Sequence, residues 1–167
     1  MTPKEILIEQ FLCSYDQKGW FVPLKDSLTG LTAEQAVWNG GTENHSVYEI
    51  VNHIIYWNET WLNKFKKNPV KIIETDNKNT FNPGVASISP AEWDEAVKKL
   101  FSVMDTWAEG LKGIDDSFLN VPVHNEADAP WSSYISQIIM HIIYHTGQIV
   151  TIRKMQGSWD PKLGVEA

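Results

Sequence analysis

Two histidines, His141 and His145, stand four residues apart in an isoleucine-rich stretch, and a third, His53, lies in an earlier apolar segment. On a helix, side chains four apart sit one turn above each other on the same face, so two imidazoles there can grip a single ion. Three neutral imidazoles leave coordination positions open for water or substrate. An ion so held can polarise a carbonyl, acidify a bound water or hold a thiolate ready for attack. Imidazole donors suit zinc, nickel, copper or iron about equally. The run His141-Ile142-Ile143-Tyr144-His145 has no glutamate after its first histidine. Peptide hydrolysis by the two-histidine zinc-protease mechanism needs that carboxylate as its base and is disfavoured.

Helical projection at about 100° per residue tests whether the three can meet. The isoleucine face centres on Ile135, Ile139 and Ile142, and His141 and His145 fall on its flank, roughly 80 to 120° away. The apolar face of the other segment centres on Val47, Ile50, Ile54, Trp57 and Trp61, with His53 about 100° from it. Flanks of two bundle helices share a seam, and sites in helical bundles are built from inward side chains on facing helices. A lone flank histidine is ordinarily a hydrogen-bonded boundary residue. The pair with a matched third brings the ligand reading level with that bland one.

Other residues are candidates for a supporting part. Glu49, one turn before His53, could be a base or an acceptor behind the site, against a simpler role as a helix cap. Gln148 lies one turn beyond His145 and could orient a ligand or water. Tyr56 and Trp57 could wall a pocket, although aromatic residues at helical spacing are more often core. Arg153 projects onto the isoleucine face. A buried arginine needs a partner, either an internal carboxylate or the carboxylate of a substrate. His45 and His124 are expected at the surface, His45 as a possible pocket-edge group. Cys13 is expected to be a small core residue, since nothing nearby marks it as activated.

The elements that must position these residues have marked ends. Thr2-Pro3-Lys4-Glu5 and Ser89-Pro90-Ala91-Glu92 each place a hydroxyl cap, a proline at the first helical position and a glutamate at the third. Ser46-Val47-Tyr48-Glu49 is the same capping box without the proline. The first helix is expected from Pro3 into the twenties, with a bend near Gly19 or Pro23. The second spans Val47 to about Lys67, ending in Lys64, Lys66 and Lys67, which favour the helix dipole. The third spans Pro90 to about Lys112. The fourth begins after Pro130, capped by Ser132 or Ser133, and stops near Gly157. A short turn is expected over Thr32 to Val37, a loop over Trp38 to His45, and extended chain at Val121-Pro122-Val123. Each long segment has an apolar stripe opposite polar residues. The connection from Asn68 to Ile88 is long for a hairpin and can cross the whole bundle, which allows the second and third helices to run parallel.

The 167 residues fit one domain, 1–167, with a normal apolar share of 43%. The only cysteine, Cys13, excludes an internal disulfide and a multi-thiolate zinc site. A formal net charge of -7 argues against nucleic-acid binding, which needs clustered Lys and Arg. Apolar runs are short and broken, so no membrane span is expected. The start, Met1-Thr2-Pro3-Lys4-Glu5, has no basic leader before an apolar stretch, and a cytoplasmic location is the expectation.

The segment His141-Ile142-Ile143-Tyr144-His145-Thr146-Gly147-Gln148-Ile149, followed by Arg153, resembles the last helix of the DinB-like superfamily. Ser46-Val47-Tyr48-Glu49-Ile50-Val51-Asn52-His53-Ile54 is similar to that family's second-helix motif, and the order is the same. The resemblance implies an all-α, up-down-down-up four-helix bundle with a long crossover between helices 2 and 3, often a homodimer. It also implies one divalent metal ion, nickel or zinc before others, on His53, His141 and His145. Characterised relatives include transferases that use low-molecular-weight thiols such as bacillithiol or mycothiol, and maleylpyruvate isomerases. No residue here identifies a thiol co-substrate. The expected function is therefore a metal-dependent enzyme acting on a small molecule, a thiol S-transferase first. The alternatives are a non-catalytic metal- or ligand-binding stress protein and a metal-dependent hydrolase or isomerase of the same superfamily.

Overall fold

The computed structural model of the chain describes residues 1–41, 44–67, 76–123 and 129–165. Among them are six α-helices: α1 (Pro3–Tyr15), α2 (Leu24–Leu28), α3 (Ala33–Val37), α4 (Val47–Phe65), α5 (Pro90–Lys112) and α6 (Trp131–Met155). The described residues form no β-strand; a single bridge pairs Pro122 with Pro130.

The hydroxyl-and-carboxylate caps start the helices where the sequence places them. Thr2, Ser46 and Ser89 each accept the N3 backbone N–H, and Glu5, Glu49 and Glu92 return a bond to the cap nitrogen. Thr32 with Gln35 does the same for α3, on the segment expected to be a short turn. Two boundaries differ from expectation. The first helix stops at Tyr15 rather than reaching the twenties, and α2 follows as a separate short helix. Pro23 stands at the N-cap of α2, so the chain restarts there instead of bending. Helix α6 begins at Trp131, with Pro130 in the cap position and no side-chain cap, so neither Ser132 nor Ser133 serves. Its entry is tied instead by the short bridge, through Trp131 N–H to the Val121 carbonyl and Val123 N–H to the Ala129 carbonyl.

The four long helices close a ring of contacts: α1 packs on α5 and α6, and α4 packs on the same two. Leu100, Met104, Trp107, Ile50, Ile54, Ile135 and Ile142 fill the centre, each fully buried. The indole N–H of Trp107 donates to the Asn58 carbonyl and that of Trp93 to the Leu31 carbonyl, which lets two large rings enter the core without an orphaned donor. Helix α2 packs on α6, α3 on α4 and α5, and a 3-10 turn over Asn77–Phe81 lies against α4. Cys13 is half-buried rather than a core residue. Arg153 is buried on α6, but its partners are backbone carbonyls, those of Ser27 and Ser158, and no carboxylate among the described residues bonds it. No helix among the described residues is long and apolar enough to cross a membrane.

Candidate metal centre

Helix α4 brings in His53, and α6 brings in His141 and His145. Their Nε2 atoms converge: His53 to His141 is 3.1 Å, and His145 to His141 is 3.0 Å. Projection places the three on helix flanks, yet His53 and His145 are buried and only His141 is half-exposed. The extra cover over His53 comes from the Asn77–Phe81 turn. The Phe81 ring stacks on the His53 imidazole at 3.8 Å.

Proton counting shows what faces the meeting point. The single hydroxyl hydrogen of Thr80 goes to the Asn77 carbonyl at 2.6 Å. Its oxygen must therefore accept from His53 Nδ1–H, at 2.5 Å. The Gln148 amide nitrogen donates to the Tyr144 hydroxyl, which turns the amide oxygen toward His145 Nδ1–H at 2.7 Å. Both Nδ1 atoms thus carry hydrogen, and the Nε2 atoms of His53 and His145 present bare lone pairs. His141 can supply at most one hydrogen to the vertex. Two lone pairs and one shared hydrogen at these distances leave a point of strong negative potential that a cation satisfies.

The electrostatics agree. Burial, then the neighbouring imidazoles of His145 and His141, push His53 down from its ordinary value to about 3. Burial and His145 lower His141 to about 4. Burial also lowers His145, with its hydrogen bond to Gln148 working in the opposite direction. All three are neutral at pH 7, the form that binds metal. A zinc–nitrogen bond of about 2.0 Å in a tetrahedral shell sets ligand nitrogens about 3.3 Å apart; His141 lies within a few tenths of an ångström of that spacing from each of the other two, and the three ligand atoms all lie within 4.8 Å of one another. The three histidines could hold a metal ion.

The vertex opens on a cavity of about 670 Å³, whose lining includes Trp57, Trp61, Tyr134, Tyr144, Gln148 and His45. A larger groove of about 890 Å³ runs between α2 and α5. It holds lysines and carboxylates of the surface kind and no histidine, so volume alone does not mark the chemistry. Trp57 lines the histidine cavity and donates its indole N–H to Asn77. Tyr56 lies outside the lining, edge-on to Trp57 at 5.2 Å. Gln148 both lines the cavity and orients His145. Glu49 is not at the vertex: its carboxylate accepts from the N–H groups of Ser46 and Gly84 and from His45 Nδ1. Arg153 is also outside the cavity lining. His124 lies outside the described residues.

Sequence reasoning misses Thr80 and Phe81, which sit in a connection without periodicity. The signals available there are an Asp76 side-chain cap on Lys78 N–H and the left-handed Asn82 before Pro83-Gly84, which mark a turn but not the face it covers.

No curated protein and no solved structure matches the chain. The family model of the DinB superfamily matches residues 24–149, which include all three histidines, the Asn77–Phe81 turn and the greater part of α6. By that match over most of its length, the chain belongs to the DinB superfamily.

Proposed function

We propose that the protein is a metal-dependent enzyme acting on a small molecule, most specifically a low-molecular-weight-thiol S-transferase, with nickel or zinc on His53, His141 and His145. The observation that carries the metal half is the convergence of three neutral Nε2 atoms, two held as lone-pair donors by their Nδ1 bonds, at the wall of an open cavity. A bound divalent ion supplies Lewis acidity and stabilises a thiolate at neutral pH. The chain's own residues do the rest. Thr80 and Gln148 fix the imidazole tautomers, Phe81 excludes water from one face of His53, and Trp57, Trp61 and Tyr134 offer aromatic surface to a ligand. The thiol half rests on the family, in which this chemistry occurs.

The ring of contacts among α1, α4, α5 and α6, with a long connection between α4 and α5, supports an up-down-down-up bundle as part of the same proposal. So does a homodimer, for which the exposed Met140, Tyr144 and Met155 along one side of α6 offer apolar surface. The decisive experiment loads metal-free protein with Ni²⁺ or Zn²⁺, measures stoichiometry and thermal shift, then assays bacillithiol with a model electrophile. Binding of one ion per chain is expected, stabilising by about 4 kcal/mol at a thousandfold excess over Kd. His141→Ala should abolish both the shift and the turnover. A rate indifferent to His141→Ala would sink the enzyme reading, and a stoichiometry near zero would sink the metal.

A further inference from the structure

Four imidazoles line the histidine cavity, and only three point at the vertex. The fourth, His45, stands at its edge in an arrangement of its own. Its ring stacks on Phe81 at 3.8 Å, nearly parallel, and the other side of Phe81 is the neighbour of His53. Phe81 is thus a spacer that holds His45 one aromatic ring away from the metal ligands. His45 Nδ1 lies 3.0 Å from Glu49 Oε2. That carboxylate is buried and is itself fixed by the backbone N–H groups of Ser46 and Gly84, at 3.1 Å each. A carboxylate accepts only, so Nδ1 carries the hydrogen and Nε2 is left as a basic lone pair. Nε2 has no partner among the described residues. Among the described residues no carboxylate lines the cavity, and the other imidazoles are committed to the vertex.

We propose that His45, oriented by Glu49, is the proton acceptor for a thiol entering this cavity. The proposal rests on the metal-and-thiol reading above and adds to it the residue that takes the proton. The S–H bond breaks, its electron pair stays on sulfur, and the proton passes to His45 Nε2. The imidazolium so formed keeps its Nδ1–H on Glu49, whose negative charge offsets the new positive one. When sulfur attacks an electrophile, the proton goes on to the leaving group or to solvent. Glu49 is a positioning residue here, since it acts through His45. The charged and titratable groups around His45 are Glu49 on α4 and, across the cavity, His53, His145 and Tyr144.

The test uses the Zn²⁺-loaded protein and 2-mercaptoethanol as the probe, titrated calorimetrically at pH 7, where an imidazole can keep a readable share of the proton, in two buffers of different ionisation enthalpy. The difference in heat counts protons released per thiol bound. Coordination of a thiol frees about one proton. Wild type should release clearly less than one, because His45 keeps part of it. His45→Gln, at a half-exposed position, should release the full proton, and Glu49→Gln should move in the same direction. Equal release by wild type and His45→Gln would overturn the proposal while leaving the metal-and-thiol reading intact. No thiol-dependent heat in metal-loaded wild type would overturn that reading and the proposal with it.

Discussion

Helix α6 carries two buried polar clusters, and they differ in what they do with their polar atoms. At His145, the Nδ1 hydrogens are spent on Thr80 and Gln148, and lone pairs are left converging beside an open cavity. At Arg153, two turns further on, the guanidinium is 2% exposed and bonds the Ser27 and Ser158 carbonyls, at 2.7 and 2.8 Å, with the Trp159 ring 5.4 Å away. It lines neither the histidine cavity nor the groove between α2 and α5. One cluster has acceptors to spare and a space in front of them; the other uses Nη1 and Nη2 to tie α2 and the chain after α6 to the helix, and what it has left over is a donor, the buried Nε–H. Burial of a charged or titratable group therefore does not separate function from structure here. The sign of the unspent hydrogen-bonding capacity, and the space it faces, does.

The largest effect should come from removing the structural cluster. Arg153→Ala leaves the buried Ser27 carbonyl and the part-buried Ser158 carbonyl without these donors and a void beside Trp159, and should cost about 3 kcal/mol in urea unfolding. Zn²⁺ stoichiometry should stay at that of wild type. If Arg153→Ala loses its metal while still folded, the two clusters are one unit and the contrast between them fails.

The two clusters were unequally visible in the sequence. The histidines were legible because a helix repeats every 3.6 residues, so His141 and His145 had to share a face and His53 had to lie on a comparable flank. The starts of α1, α4 and α5 were legible because caps are local chemistry. The start of α6 was not, since it depends on a bridge between Val121 and Trp131 that closes across a loop. The early end of α1 is not legible either: Gly19 and Pro23 are compatible with a bend, and the chain treats them as a stop and a restart. Arg153 was placed correctly on the buried face, but its partners are backbone carbonyls, and a backbone carbonyl has no signature in sequence. Thr80, Phe81 and the Gly84–Glu49 bond depend on how the connection after α4 folds back, which no periodicity encodes.

The next effect sharpens the contrast through pH. The folded chain holds His53 near 3 and His141 near 4, with His145 also lowered, whereas an unfolded chain titrates them near 6.5. Below about 6.5 the unfolded state takes up protons that the folded state refuses, so metal-free stability is full above that value and falls as the pH drops toward 4. His53 alone should cost about 2 kcal/mol between pH 6.5 and 5. Arg153 stays charged in both states over this range and adds no slope. Urea midpoints of the metal-free protein at three pH values check this, and a flat profile would mean that the three imidazoles are solvated.

The smallest effect isolates the proton count itself. Thr80→Val preserves the shape of the side chain but removes the oxygen that accepts His53 Nδ1–H. The imidazole is then free to move its hydrogen to Nε2, which points a donor, rather than a lone pair, at the vertex. Zn²⁺ affinity should fall about tenfold, the lower end of what such supporting bonds contribute, with little change in where the helices sit. Nitrogen NMR of the metal-free variant should show the Nε2–H tautomer of His53 gaining population over wild type. A tenfold loss without that tautomer change would mean that Thr80 acts by packing. An unchanged affinity would mean that burial under Phe81 already holds His53 in place, and that the hydroxyl follows the imidazole rather than directing it.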